Sequence, residues 1–335
     1  MFLGENTFCP PVDRCGPAIL SSRKSDPLTK LPPPLAYPVT RPKAWRIAWL
    51  AIRPRTLSVS VAPVLVGSSL AWAEGSNVHW LALFAALCCA TLIQIATNLH
   101  NDAVDCEKGN DLPDRPGPLR VTAAGWVTPG TVRRAALGSF AAAFLLGIYL
   151  AAVGGWPIVG IGLASLLAGW SYSGGPRPIS YSPFGELFVL FFFGVLAVGG
   201  SVWLQGHAPD ASTLLAGLVC GLPAAAVLVV NNTRDRIADL RVGRRTLAAL
   251  LSRAGATRAY ALMMLLPFAL LPLLAWFGHG GALLGLLALP NALAKVRAFA
   301  AASSAPALNP LLPATARCGL ILAVLLTAGF LLELA

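Results

Sequence analysis

The chain has 335 residues, of which 56% are hydrophobic and only 12% charged, against about 25% charged in a soluble domain. That excludes a soluble globular enzyme and fits an integral membrane protein. A net charge of +11 would suggest nucleic acid on a soluble chain, but here position outweighs the total and no nucleic-acid partner is expected.

Residues 1–44 are rich in proline and polar groups and hold no apolar run. They read as a disordered cytoplasmic extension ahead of one membrane domain over 45–335. The stretch Ala44–Arg55 carries Trp45, Trp49 and several arginines, which suits an interfacial lead-in to the first span. A spanning helix needs about 20 mostly apolar residues. The apolar segments place spans at 56–74, 79–101, 133–153, 156–173, 184–205, 212–232, 258–277, 280–297 and 314–334. The expected fold is therefore an all-α bundle of about nine transmembrane helices.

The charges orient that bundle. The connections near 74–79, 153–156, 205–212 and 277–280 contain no Lys or Arg. All 25 basic residues fall in the other connections or before residue 56, which marks those as cytoplasmic. The N-terminus is then inside, and the protein sits as a multi-pass protein in the cell membrane.

The most polar stretch follows the second span: Asn98–Arg120, NLHNDAVDCEKGNDLPDRPGPLR. It holds Asp102, Asp105, Asp111 and Asp114 in a chain with only 14 acids. Acids at the end of a membrane helix mark a functional site by default. Asn98, Asp102 and Asp105 stand at i, i+4 and i+7, on one helical face. Carboxylates gathered this way repel unless a cation lies between them, and all-oxygen ligands suit Mg²⁺, which also takes phosphate oxygens. A second stretch echoes the first after the sixth span: Asn231–Thr246, NNTRDRIADLRVGRRT, with Asp235 and Asp239 an i, i+4 pair and Asn232 a turn earlier. Asp235 and Asp239 also have Arg234, Arg236 and Arg241 as possible ion-pair partners. Two such clusters, each ending one helix of a similar half, would hold two Mg²⁺ around one diphosphate on the cytoplasmic side.

Basic groups lie beside both clusters: Arg115, Arg120, Arg177, Arg244 and Arg245. The guanidinium fork matches phosphate oxygens. Arg177 stands out because it lies in a rigid turn, YSGGPRP, that also presents Tyr172 and Tyr181. None of the seven cysteines forms a C-x-x-C pair, and there is no nucleotide-binding Gly-rich loop or nucleophile elbow. A charged head on the membrane face with an apolar bundle beyond it suits a polyprenyl diphosphate.

The two acidic motifs resemble those of the UbiA family of intramembrane aromatic prenyltransferases. RPRTL at 53–57, NDAVDCEKGNDLPDRPGPLR, YSGGPRPISYSPFGELFVLFFFG at 172–194 and NNTRDRIADLRVGRRTLA at 231–248 are similar to its menaquinone-pathway branch. The likeness covers about residues 45–335. It implies that Asn101, Asp102, Asp105 and Asp111 hold one Mg²⁺ and Asp235 and Asp239 the other. It also puts Tyr172 and Arg177 among the catalytic residues near the diphosphate. Asn98, Asp114, Arg115, Arg120, Arg177, Asn232, Arg244 and Arg245 would bind substrate. Arg244 stands where the family often has lysine. The implied activity is transfer of a polyprenyl group from its diphosphate to 1,4-dihydroxy-2-naphthoate, with loss of CO₂ and diphosphate, giving demethylmenaquinol. Another aromatic acceptor, such as 4-hydroxybenzoate or homogentisate, or a secondary transporter with an acidic site, are the alternatives.

Overall fold

In the computed structural model, residues 40–111 and 114–334 are described. The expected extension 1–44 lies outside them except for its last residues. Among the described residues there is no strand.

Helix α1 (Ala44–Ile52) exposes Trp45, Trp49 and Leu50 and buries Ile47 and Ala51, the pattern of a helix lying in the interface. The spanning helices are α2 (Ser58–Ala73), α3 (Trp80–Glu107), α4 (Pro129–Ser171), α5 (Gly185–Leu204), α6 (Ala211–Arg241), α7 (Arg253–Trp276), α8 (Gly280–Ala301) and α9 (Pro306–Leu332). Among the described residues, seven helices are long and apolar enough to cross a membrane, or eight if the bent pair Ala44–Thr56 and Ser58–Ala73 forms one span. The expected spans 133–153 and 156–173 both fall within α4. Gly155 leaves the helical region there (φ 68°, ψ −157°) and the chain doubles back. Phe140 on the first arm meets Trp170 on the second, with ring centroids 6.3 Å apart.

Helices α3 and α6 are longer than the bilayer requires. Their 28 and 31 residues make about 42 and 46 Å of helix, against about 30 Å of hydrocarbon. The surplus turns carry the acidic motifs. Both helices also end alike. Gly109 and Gly243 adopt positive φ (68° and 79°), and the next residue's N–H reaches back five positions: Asn110 to the Asp105 carbonyl and Arg244 to the Asp239 carbonyl, each at 2.8 Å. That is the Schellman stop, made twice, and it supports two structurally similar halves. The main core joins Val66 and Leu70 of α2, Val198 of α5, Val230 of α6, Met264 and Leu271 of α7 and Leu326 of α9.

The end remote from the motifs is tied by acids and histidines. Gln205 accepts from the Trp72 indole (2.9 Å) and the His79 backbone (2.8 Å). Glu74 meets His207 at 2.9 Å and His279 at 3.4 Å, and His279 meets Glu333 of the last helix at 3.2 Å. The Glu74 hydrogen bond raises the His279 pKa, against burial, and Glu333 raises it further. A histidine with a raised folded pKa stabilises fully below its unfolded value, about 6.5, and that contribution is lost as pH rises through the folded pKa. The thermal midpoint in detergent is therefore expected to fall as pH is raised from about 6 to about 8. His279→Gln should flatten that slope, and a wild-type midpoint that climbs over the interval would contradict the ion-pair reading.

Candidate active site

The surplus turns of α3 and α6 face each other, and the 108–128 connection folds over them. Asp102, Asp105, Asp235 and Asp239 are all buried. Burying carboxylates is tolerable only with partners, and arginines supply them. Arg120 bonds Asp105, lies 2.9 Å from Asp111 and 3.6 Å from Asp102. Arg244 bonds Asp105 and stands 3.5 Å from Asp239, so it links the two clusters. Arg115 donates to Asp235 Oδ2 at 2.7 Å. Arg234 grips the same carboxylate through two bonds of 2.8 Å. Gly117 sits between those two guanidinium groups; a Cβ there would lie 2.8 Å from each.

Electrostatics follow from this burial. Desolvation pushes the Asp111 carboxyl above its ordinary value, although Arg120 pulls it down. It lowers Arg115, against the Asp235 carboxylate. Burial also works against the charge of Arg120 and Arg244, yet neighbouring carboxylates hold both above the ordinary guanidinium value. Burial, and then the Glu186 charge, push the Tyr172 phenol above its ordinary value.

Beneath the charged layer lies a cavity of about 840 Å³. Asn98, Asn101, Asp102, Arg115, Arg120, Tyr172, Asn232, Asp235, Asp239 and Arg244 border its polar end. Phe188, Phe192, Leu196, Leu204, Leu150 and Ile158 line its apolar depth. Phe191–Leu196 is a π-helical turn in α5, a feature frequent at functional sites.

In ligand chemistry the donor set suits a hard divalent cation, although among the described residues no three acidic side chains close into a metal cage. Every candidate ligand is an oxygen, and Asn101 Oδ1 and Asp111 Oδ2 are buried without a hydrogen-bond partner. At the second cluster Asp235 is filled by Arg115 and Arg234, whereas among the described residues Asp239 has only the long Arg244 contact.

Residues 60–311 match the model of the UbiA prenyltransferase family. This chain belongs to that family. A 1,4-dihydroxy-2-naphthoate octaprenyltransferase of Escherichia coli is 37% identical over 298 residues, covering 85% of this chain and 96% of the relative. One from Haemophilus influenzae is 32% identical over 305 residues, covering 87% and 96%. In three dimensions the chain is similar to a UbiA homolog from Archaeoglobus fulgidus solved with GPP and Mg²⁺, with TM-score 0.60, 14% identity and coverage of 86% and 99%. A UbiA homolog from Aeropyrum pernix gives TM-score 0.56 at 15% identity, covering 85% and 99%. The fold is thus the UbiA helical bundle.

In this UbiA-family chain, most of the expected site residues converge. Three stand apart from the cavity. Asp114 pairs at 2.7 Å with Arg241, so that arginine braces the 108–128 connection. Arg177 is exposed on its turn, and the same turn brings Ile179 and Ser180 to the cavity instead. Arg245 is exposed and holds the Tyr181 carbonyl through its backbone at 3.1 Å. Asp105 and Asp111 reach the site from behind the cavity wall, through Arg120.

Four contributors are additional. Arg53, the only non-glycine with positive φ among the described residues (55°), bonds Asp102 from the α1–α2 bend. Such strain persists where the surroundings enforce it, commonly at functional sites. Arg234, read from sequence only as a possible ion-pair partner, is the buried clamp on Asp235. Asn309, in the first turn of α9, accepts from Arg234 at 3.3 Å and donates to the Pro116 carbonyl at 2.9 Å, pinning the connection. The Tyr181 hydroxyl accepts from Asn110 at 2.7 Å, and its ring lies 5.0 Å from the Arg244 guanidinium carbon. Of these, Arg53, Tyr181 and Arg234 lie in the stretches RPRTL, YSGGPRPISY and NNTRDRIADL, and only Asn309 carries no sequence signal.

Proposed function

We propose that this protein transfers a polyprenyl group from polyprenyl diphosphate to 1,4-dihydroxy-2-naphthoate, releasing diphosphate and CO₂. The observation that carries the reading is the facing Asp–Arg layer set over a deep apolar cavity, in a chain similar over most of its length to dihydroxynaphthoate octaprenyltransferases. Asn101, Asp102, Asp105 and Asp111 would hold one Mg²⁺, and Asp239 with Asp235 a second. Mg²⁺, when bound, neutralises the charge of the departing diphosphate.

The residues divide the work by depth. Arg115, Arg120 and Arg244 turn from the carboxylates to the phosphate oxygens as substrate enters, and Arg53 is released from Asp102. Their preorganised charge stabilises the leaving group as the C–O bond breaks. The apolar wall excludes water, so the allylic carbon meets the electron-rich ring. A ring carbon bonds to it, and the carboxyl group leaves as CO₂. Tyr172 donates at the boundary between the charged and apolar layers. Purified protein in detergent, with no ion gradient, is expected to make prenylated naphthoquinol from these substrates, read by mass spectrometry. Absence of any prenylated product would overturn the reading.

The same reading gives a single catalytic domain of nine spans over 45–335, with its N-terminus and both acidic motifs on the cytoplasmic side. One-sided placement of lysine and arginine supports it. Single cysteines at Lys108 and Leu240, in a background with the native cysteines replaced, should resist an impermeant thiol reagent in spheroplasts and react in inverted vesicles. Labelling from outside would reverse the topology.

A further inference from the structure

Glu186 has no part in the scheme above, yet it is 2% exposed at the start of a spanning helix. An ionisable group there is expensive to keep and by default serves function. Its Oε1 accepts from the Asn232 side-chain amide at 2.9 Å. Its Oε2 is buried with no hydrogen-bond partner. Glu186 itself does not line the cavity, but Asn232 and Tyr172 do.

Because the Asn232 amide nitrogen donates to Glu186, the amide oxygen faces away from it. Among the described residues no group donates to that oxygen, and Asn232 borders the cavity. Asn232 also lies three residues before Asp235, which is about 4.5 Å further from the charged layer along α6. That sets it deeper than Asp235, on which Arg115 converges. Among the described residues the Tyr172 hydroxyl has no hydrogen-bond partner either, and it too borders the cavity. The pair thus offers one acceptor and one donor at the top of an apolar chamber. A hydroxylated aromatic acid carries the complement, a hydroxyl to give and a carboxylate to receive.

We infer that Glu186 is a positioning residue of the aromatic-acceptor subsite: it turns the Asn232 carbonyl oxygen into the cavity to receive a hydroxyl of the aromatic co-substrate. This rests on the transferase reading above. It also separates the two substrates' sites, since the diphosphate is held by the arginine layer and not by Asn232.

The test is steady-state kinetics of the purified full chain with Mg²⁺, varying 1,4-dihydroxy-2-naphthoate and prenyl diphosphate in turn. In Glu186→Gln the side chain no longer dictates the amide's orientation. Loss of one directed hydrogen bond should raise KM for the naphthoate about tenfold, with KM for the diphosphate within about twofold. Asn232→Ala should give a similar rise, and the double variant no further one, because the two act as a unit. Should Glu186→Gln fail to insert, Glu186→Asp, which withdraws the carboxylate from Asn232, is read in the same way. An unchanged naphthoate KM, an equal rise for both substrates, or additive effects in the double variant would each overturn the inference. No turnover by the wild-type protein would instead remove the transferase reading itself.

Discussion

Asp105→Asn is expected to abolish turnover, by about 10³-fold or more, while the protein still folds and inserts. Asp105 receives Arg120 and Arg244, one from each side of the site, and Asn110 at 3.1 Å. The asparagine keeps the shape and one acceptor oxygen, so the helix end and its Asn110 bond survive. What is lost is the charge that organises both arginines and helps hold a divalent cation. The diphosphate would then depart without compensation in a partly dry site. Asp235→Asn should behave alike, since Arg115 and Arg234 converge on it. Near-normal activity of either variant at saturating Mg²⁺ would contradict the assignment.

Arg120→Ala should lower stability by about 3–5 kcal/mol, the usual result of removing one partner from a buried ion pair. Arg120 is the shared partner of Asp102, Asp105 and Asp111, so its loss leaves three crowded carboxylates short of positive charge. Here the metal reading makes a further demand. If these oxygens form a cation site, Mg²⁺ should restore much of the lost stability, because a ligand that binds only the folded state stabilises it. Thermal melting with chelator and with Mg²⁺ reads this without any activity measurement. The variant should gain much more from Mg²⁺ than wild type does. An Mg²⁺-independent loss would mean that Arg120 is merely a structural counter-charge.

The sequence exposes those features that repeat along the chain. Apolar length marks the spans, and the i, i+4, i+7 spacing marks the acidic faces of α3 and α6. Their equivalence is visible too, down to the glycine that stops each helix. Less legible is what depends on residues distant in sequence. Arg53 and Asn309 reach the site from a bend and from the start of the last helix, and no spacing connects them to Asp102 or Asp235. Arg234 hides because its neighbour in sequence is also its partner, which reads as an ordinary surface pair. Arg177 reads as a site residue because its turn is rigid and isolated, but a rigid turn can aim a side chain outward as readily as inward. The roles of the arginines also need three dimensions: beside phosphate-binding motifs they read as phosphate clamps, and in the folded chain they neutralise the carboxylates.

The reversal at Gly155 is legible, because Gly154, Gly155 and Pro157 separate the expected spans 133–153 and 156–173. The pairing of Phe140 with Trp170 decides that it is a hairpin.

The most direct measurement uses carboxyl-labelled 1,4-dihydroxy-2-naphthoate with polyprenyl diphosphate, Mg²⁺ and the purified protein. The label should leave as CO₂ in step with prenyl transfer, and the prenylated product should carry none. Efficient prenylation of 4-hydroxybenzoate with its carboxyl retained, and no reaction of the naphthoate, would contradict the account.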